Sequence, residues 1–207
     1  MTPADATEPA EATHTRLRDV EEAWPVVSSQ SRFEGRIVTA YTDTIQGPDG
    51  EQFDREVVRH NGAVAVVAAD EHDRIFVLTQ FRHPVAQRLV ELPAGLLDVD
   101  GENPLDAARR ELAEEAGLHA ERWSVLVDLL TSPGILDERV RIYLAEGLSE
   151  TAAPDGFEAA HEEADMGRHW TPLADVVAGI LAGEVKDGLT VSGSLALWAR
   201  RHENPTG

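Results

Sequence analysis

The chain has 207 residues, 42% of them hydrophobic, with 38 Asp and Glu against 18 Lys and Arg for a formal net charge of −20. That length suits one domain with a sizeable core, and the acidic excess argues against nucleic acid, whose phosphates would be repelled. No apolar run approaches a membrane span, and the absence of cysteine removes disulfides and thiol catalysis, which suits a reducing cytoplasm.

Residues 1–18 are mostly Ala, Thr, Glu and Pro, which predicts a disordered tail without the basic start or apolar stretch of a signal peptide. A single domain is expected over 19–207, with N-terminal strands at 24–59 and the core from residue 60. Trp24 to Ser29 reads as a short strand. Arg36 to Ile45 and Gln52 to Arg59 flank Gly47-Pro48-Asp49-Gly50, a turn sequence that predicts a β-hairpin. Gly62 to Ala69 and Ile75 to Phe81 are β-branched runs of the kind found in buried strands, joined by the polar turn Asp70–Arg74. Leu89 to Leu92 is a further short strand leading into Pro93-Ala94-Gly95.

The stretch from Gly95 to Leu118 reads as a turn, a capped helix and a stop. Asn103 caps the helix, Pro104 suits its first position, where an N–H would have no partner, and Gly117 ends it. Leu105, Ala108, Leu112 and Ala116 form one apolar stripe. At about 100° per residue, Glu111 and Glu115 project about 40° apart beside that stripe, with Glu114 next to them. Helix propensity does not explain gathering mutually repelling carboxylates, whereas a hard divalent cation with oxygen ligands does. The same spacing also fits a solvated helix face with Arg109 and Arg110 as partners.

Beyond the helix, Trp123 to Leu130 and Val140 to Glu146 read as strands around the loop Thr131–Glu138. Ser149 to Asp165 is an acidic segment too long for an ordinary connection, and such loops are often functional. Pro172 to Leu181 and Thr190 to His202 are helical by period. Strands flanked by helices in this order suit a mixed sheet between helical layers.

Glu102 and the run Arg110-Glu111-Leu112-Ala113-Glu114-Glu115-Ala116-Gly117-Leu118 resemble, in order and spacing, the signature of the Nudix hydrolases. One departure is visible: six residues rather than five separate Gly95 from Glu102. The resemblance implies an α/β/α sandwich and hydrolysis of a nucleoside diphosphate linked to another group, with Mg²⁺ or Mn²⁺. Carried over by motif position, Glu111 and Glu115 are the principal metal ligands, Glu102 and Glu114 are supporting carboxylates, and the Ala94 carbonyl is a further ligand. Arg110 then orients the helix carboxylates.

Pro133, in Ser132-Pro133-Gly134, falls fifteen residues beyond Leu118, as in the ADP-ribose pyrophosphatase branch. The segments Arg55–His60 and Gln80-Phe81-Arg82 resemble that branch's substrate contacts. This makes Arg55 and Arg82 candidates for the adenosine and phosphate end, and Glu138 a candidate for the distal ribose. In His161-Glu162-Glu163-Ala164-Asp165, Glu163 is the candidate general base and Asp165 a further metal ligand, with Glu162 left open as the base. The branch also implies a homodimer built by exchanging N-terminal strands. The expected reaction converts ADP-ribose to AMP and ribose 5-phosphate. The alternatives are another nucleotide sugar such as ADP-glucose or GDP-mannose, and a non-catalytic ADP-ribose-binding regulator.

Overall fold

The computed structural model describes residues 17–152 and 165–202. Three antiparallel strands come first, β1 (Val26–Glu34), β2 (Val38–Gln46) and β3 (Gln52–His60), in the order β1-β2-β3. The hairpin between β2 and β3 follows from its turn. Gly50 takes φ +86°, and its N–H donates to the Gly47 carbonyl at 3.0 Å. Asp49 Oδ1 accepts the Glu51 N–H at 3.1 Å, so the turn closes on local side-chain chemistry. Strand β1 runs past the expected end at Ser29 to Glu34, and all nine of its residues are exposed.

The core is built on β4 (Ala63–Ala68) and β5 (Arg74–Arg82), followed by the short β6 (Gln87–Glu91) and β7 (Ala94–Leu96). Then come helix α1 (Pro104–Glu111), the long strands β8 (Leu118–Leu130) and β9 (Arg139–Glu150), β10 (Gly167–Pro172), and helices α2 (Leu173–Leu181) and α3 (Gly188–His202). One mixed sheet runs β7-β4-β9-β8, with β4 parallel to β9, and a second runs β10-β5-β6.

Strand β4 is buried at every position, and its alternation divides the core in two. Ala65 and Val67 face one way, with Ile75, Val77, Ile142 and Leu144, onto Leu173 and Val176 of α2 and Leu197 of α3. Val64 and Val66 face the other way, with Phe76 and Leu78, onto Ala107 and Ala108 of α1 and the fully buried Leu112. The helical layers on both faces follow from this continuous apolar run. The stripe read from the sequence docks as expected, with Leu105 and Ala116 at its margin.

Further elements differ from the sequence reading. The signature helix is α-helical only to Glu111, and Leu112–Ala116 form a wider π-helical turn. Gly117, at φ +64°, closes it by directing its N–H to the carbonyls of both Ala113 and Leu112. Strand β10 was not read as a strand, because Gly-Arg-His-Trp-Thr-Pro lacks apolar alternation. It pairs along one side of β5, and its Trp170 packs edge-on against Phe76 at 5.3 Å. Strand β8 begins directly at Leu118, and β9 continues to Glu150, so the first residues of the expected acidic loop are strand. Among the described residues, no helix is long and apolar enough to cross a membrane.

Candidate active site

The site begins with a well-made helix start. Asn103 Oδ1 accepts the N–H groups of Leu105 at 3.0 Å and Asp106 at 3.1 Å, satisfying donors that have no partner inside the helix. About two turns before the end of the signature, Arg110 gathers the carboxylates. Its Nε and Nη2 donate to the two oxygens of Glu102 at 3.1 and 3.0 Å. Its Nη1 donates to Glu111 at 2.6 Å and to Glu114 at 3.3 Å. The hydrogen bonds to Glu102, working against burial and helped by the charge of Glu111, hold this guanidinium even more firmly protonated than an ordinary arginine. Glu102 therefore reaches the helix despite the extra residue in the preceding loop.

Strand β7 supplies the facing wall, because its pairing with β4 places Gly95 opposite Val64. The side chain of Glu111 lies directly on Gly95, and a Cβ there would come within 2.5 Å of Glu111 Cγ. Next to it, the Ala94 N–H donates to Glu115 Oε2 at 2.9 Å, and Glu115 is only 9% exposed. Among the described residues, no three carboxylates are already placed around a common point that could hold a metal ion. Arg110 draws Glu102, Glu111 and Glu114 onto itself, while Glu115 turns to the Ala94 amide. The donors nonetheless suit a hard divalent cation. All are oxygens, carried by the signature helix, the loop before it and the adjoining strand, and Gly95 keeps the space at Glu111 free of a side chain.

A second buried carboxylate supports this wall. Glu91, 6% exposed at the end of β6, accepts from Arg82 Nε at 2.8 Å and Nη2 at 2.6 Å. These bonds raise the basicity of Arg82 against its burial, with smaller contributions from the charges of Asp187 and Glu115, so Arg82 lies within electrostatic reach of Glu115. The adjoining backbone is tied to α3. The fully buried Thr190 accepts the Leu92 N–H at 3.1 Å, and its hydroxyl lies 3.2 Å from the Val90 carbonyl and 2.8 Å from Asp187 Oδ2. The sequence reading missed Glu91. Its visible signal was an acid on an otherwise apolar stretch, Leu89-Val90-Glu91-Leu92.

The model of the NUDIX domain matches residues 59–189, from the end of β3 into α3 and across the whole signature. The chain belongs to the Nudix family. It is 48% identical over 179 residues to an ADP-ribose pyrophosphatase of Mycobacterium tuberculosis, covering 86% of this chain and 85% of that one. It is 38% identical over 133 residues to an ADP-ribose pyrophosphatase of Bacillus subtilis, covering 64% of this chain and 70% of that one. A crystal structure of an ADP compounds hydrolase superposes with a TM-score of 0.72 at 19% identity, over 90% of this chain and 99% of that one, and so shares the fold. This chain is thus a Nudix hydrolase, and enzymes of this family generally use divalent metals.

Gly95→Ala tests the wall of the Nudix site. The backbone at Gly95 is not in the left-handed region, so alanine adds no backbone strain. The Glu111 side chain must move aside, and side chains move cheaply, so the thermal midpoint should change little. Hydrolysis at limiting metal should fall at least about tenfold, the lower end of the loss for displacing a group that orients a metal ligand. Full activity with an unchanged metal requirement would remove Glu111 from the ligand set.

The other residues singled out from the sequence are spread around the Nudix core. Arg55 is exposed on β3, stacked over Phe53 at 4.3 Å with Nη1 donating to the Asp54 carbonyl, and none of these contacts is with a signature residue. Glu138 accepts the Thr131 hydroxyl at 2.6 Å and lies 3.4 Å from His60 Nδ1. Asp165 pairs with Arg88, whose Nη1 also donates to the Asp165 carbonyl at 2.9 Å. Glu162 and Glu163 lie outside the described residues, as do residues 1–16 of the expected tail.

Proposed function

We propose that this Nudix hydrolase cleaves the pyrophosphate of ADP-ribose, giving AMP and ribose 5-phosphate. The observation that carries the reading is a complete signature, folded around Arg110 and Gly95, in a chain aligned with an ADP-ribose pyrophosphatase over most of both lengths. Glu111 and Glu115 are the principal ligands for Mg²⁺, with Glu102, Glu114, Asp165 and the Ala94 carbonyl as further oxygen donors. The bound cation supplies charge screening of the pyrophosphate and eases ionisation of the attacking water. Arg110 keeps Glu102, Glu111 and Glu114 oriented, and Gly95 and the Ala94 amide fix where Glu111 and Glu115 can point. Glu163 accepts the proton as the water oxygen bonds to phosphorus and the bridging P–O bond breaks. Positioning and charge stabilisation then carry most of the phosphoryl transfer.

Arg55 and Arg82 hold the adenosine and phosphate end, and Glu138 contacts the distal ribose. We also assign a homodimer, supported by Val26, Val27 and Phe33 on the wholly exposed β1. A cytoplasmic location fits the nucleotide-sugar substrate and the lack of cysteine. The test is phosphatase-coupled release of phosphate from ADP-ribose, ADP-glucose and GDP-mannose with Mg²⁺. A higher kcat/KM on either of the latter two, or inactivity on ADP-ribose, would overturn the substrate assignment.

Arg82→Ala should raise KM for ADP-ribose more than it lowers kcat, since a phosphate contact present before and during reaction contributes uniform binding. It should also lower stability by about 1–3 kcal/mol, because the buried Glu91 loses both donors. A large fall in kcat at unchanged KM would contradict the role. An unchanged melting midpoint would contradict the structural part.

A further inference from the structure

We infer that Asp137, together with His60, is a positioning residue that holds the Thr131–Glu138 loop in the shape needed to receive the distal half of the substrate. The loop follows β8 and, apart from its pairing with β3, has no regular structure of its own. It is clipped to the free side of β3, with Leu136 bridging to Val58 in parallel register. The Val58 N–H donates to the Ile135 carbonyl at 2.8 Å, and the Asp137 N–H returns to the Val58 carbonyl at 3.1 Å. Asp137 Oδ1 then accepts the His60 N–H at 2.8 Å, a bond between residues 77 positions apart.

Within the loop, Ser132 accepts the N–H groups of Ile135 at 3.0 Å and Leu136 at 2.9 Å, which closes the turn after Pro133. The consequence falls on Glu138. One of its oxygens accepts the Thr131 hydroxyl at 2.6 Å, and the other lies 3.4 Å from the ring of His60. That ring is itself oriented by the Gly62 N–H, which donates to Nδ1 at 3.0 Å. A glutamate on an unclamped loop would lose backbone and rotamer freedom on binding a sugar, whereas here that freedom is already lost in the free protein. Asp137 reaches neither the signature nor Glu138 directly and acts by fixing the backbone between them. The pairings of the loop with β3 join distant parts of the chain, so the N-terminal sheet, through β3, becomes part of the sugar-recognition apparatus.

The inference rests on Glu138 contacting the distal ribose, so the experiment separates the two ideas. Steady-state kinetics on ADP-ribose are combined with product inhibition by ribose 5-phosphate and by AMP, which report the two ends of the site. Asp137→Ala should raise KM roughly 3- to 10-fold, the effect of ordering one or two side chains on binding. It should weaken inhibition by ribose 5-phosphate and spare inhibition by AMP. Asp137→Asn keeps the Oδ1 acceptor and should recover most of the affinity. Asp137→Leu, which removes the acceptor for the His60 N–H at similar size, should reproduce the Asp137→Ala pattern and serves as the second variant if the first folds poorly. Wild-type KM and product inhibition in both Asp137→Ala and Asp137→Leu would overturn the clamp, as would equal loss of inhibition by both products. If Glu138→Gln is silent while Asp137→Ala is impaired, the clamp stands and the ribose contact belongs to the loop backbone. If Glu138→Gln is impaired and Asp137→Ala is silent, the clamp falls and the Glu138 assignment stands.

Discussion

Glu111→Gln and Glu115→Gln should each lower turnover by at least about 10²-fold and raise the metal concentration needed for half-maximal activity. That loss is at the upper end of what is seen when only the outer partners of metal ligands are removed, and a ligand should cost no less. The folded state should tolerate both changes. At position 111 the amide oxygen can still accept from Arg110, which keeps Glu102 and Glu114 as charged partners. At position 115 the amide can still accept the Ala94 N–H. Melting midpoints measured with chelator should therefore stay within the shift expected of about 1 kcal/mol, the scale of a partly exposed ion pair. Metal titration of the steady-state rate is the decisive measurement. An unchanged metal dependence in both variants would sink the ligand assignment, and collapse of the fold would show that the carboxylates are structural.

Glu163→Gln should lower kcat by roughly 10²–10⁴-fold, the usual contribution of a positioned general base, while metal and ADP-ribose still bind. Glu162→Gln should do much less if Glu163 is the base, because a single carboxylate takes the one proton released. Raising the pH should partly rescue the Glu163 variant, since hydroxide then replaces the lost base and no proton need be removed. A pH–rate profile of both variants at saturating Mg²⁺ checks this. If Glu162→Gln is the crippled variant, the base lies one residue earlier. If neither is impaired, the proton acceptor lies on another segment.

Gly95→Ala and Arg82→Ala probe two different parts of the site, one through space at Glu111 and one through the charge of Arg82. If Glu111 is the ligand that Gly95 makes room for, the alanine variant should resemble a weak form of Glu111→Gln. Arg82→Ala should instead resemble a binding defect. Different signatures from the two variants would separate metal placement from substrate capture.

What the sequence alone determined is local chemistry. The hairpin turn at Gly47–Gly50, the Asn103 cap, the stop at Gly117 and the apolar stripe through Leu112 each depend on residues within a few positions of one another. Their backbone preferences and hydrogen bonds can therefore be read in order along the chain. The signature carboxylates were legible for the same reason, since one helical turn carries most of them.

The tertiary structure decided everything that needs two distant segments in register. Trp170 gave β10 a visible aromatic, but its strand character comes from lying against β5. Glu91 could not be identified as the partner of Arg82 until β5 and β6 were paired. The wider turn at Leu112–Ala116 differs from the regular helix that the 3.6-residue period implied. Gly95 and Glu111 are neighbours because β7 pairs with β4 while α1 packs on the same sheet, and periodicity along the chain carries no record of that contact. The grip of β3 on the Thr131–Glu138 loop joins residues 77 positions apart. Such contacts are set by sheet register and the packing of the core, which no short window of sequence contains.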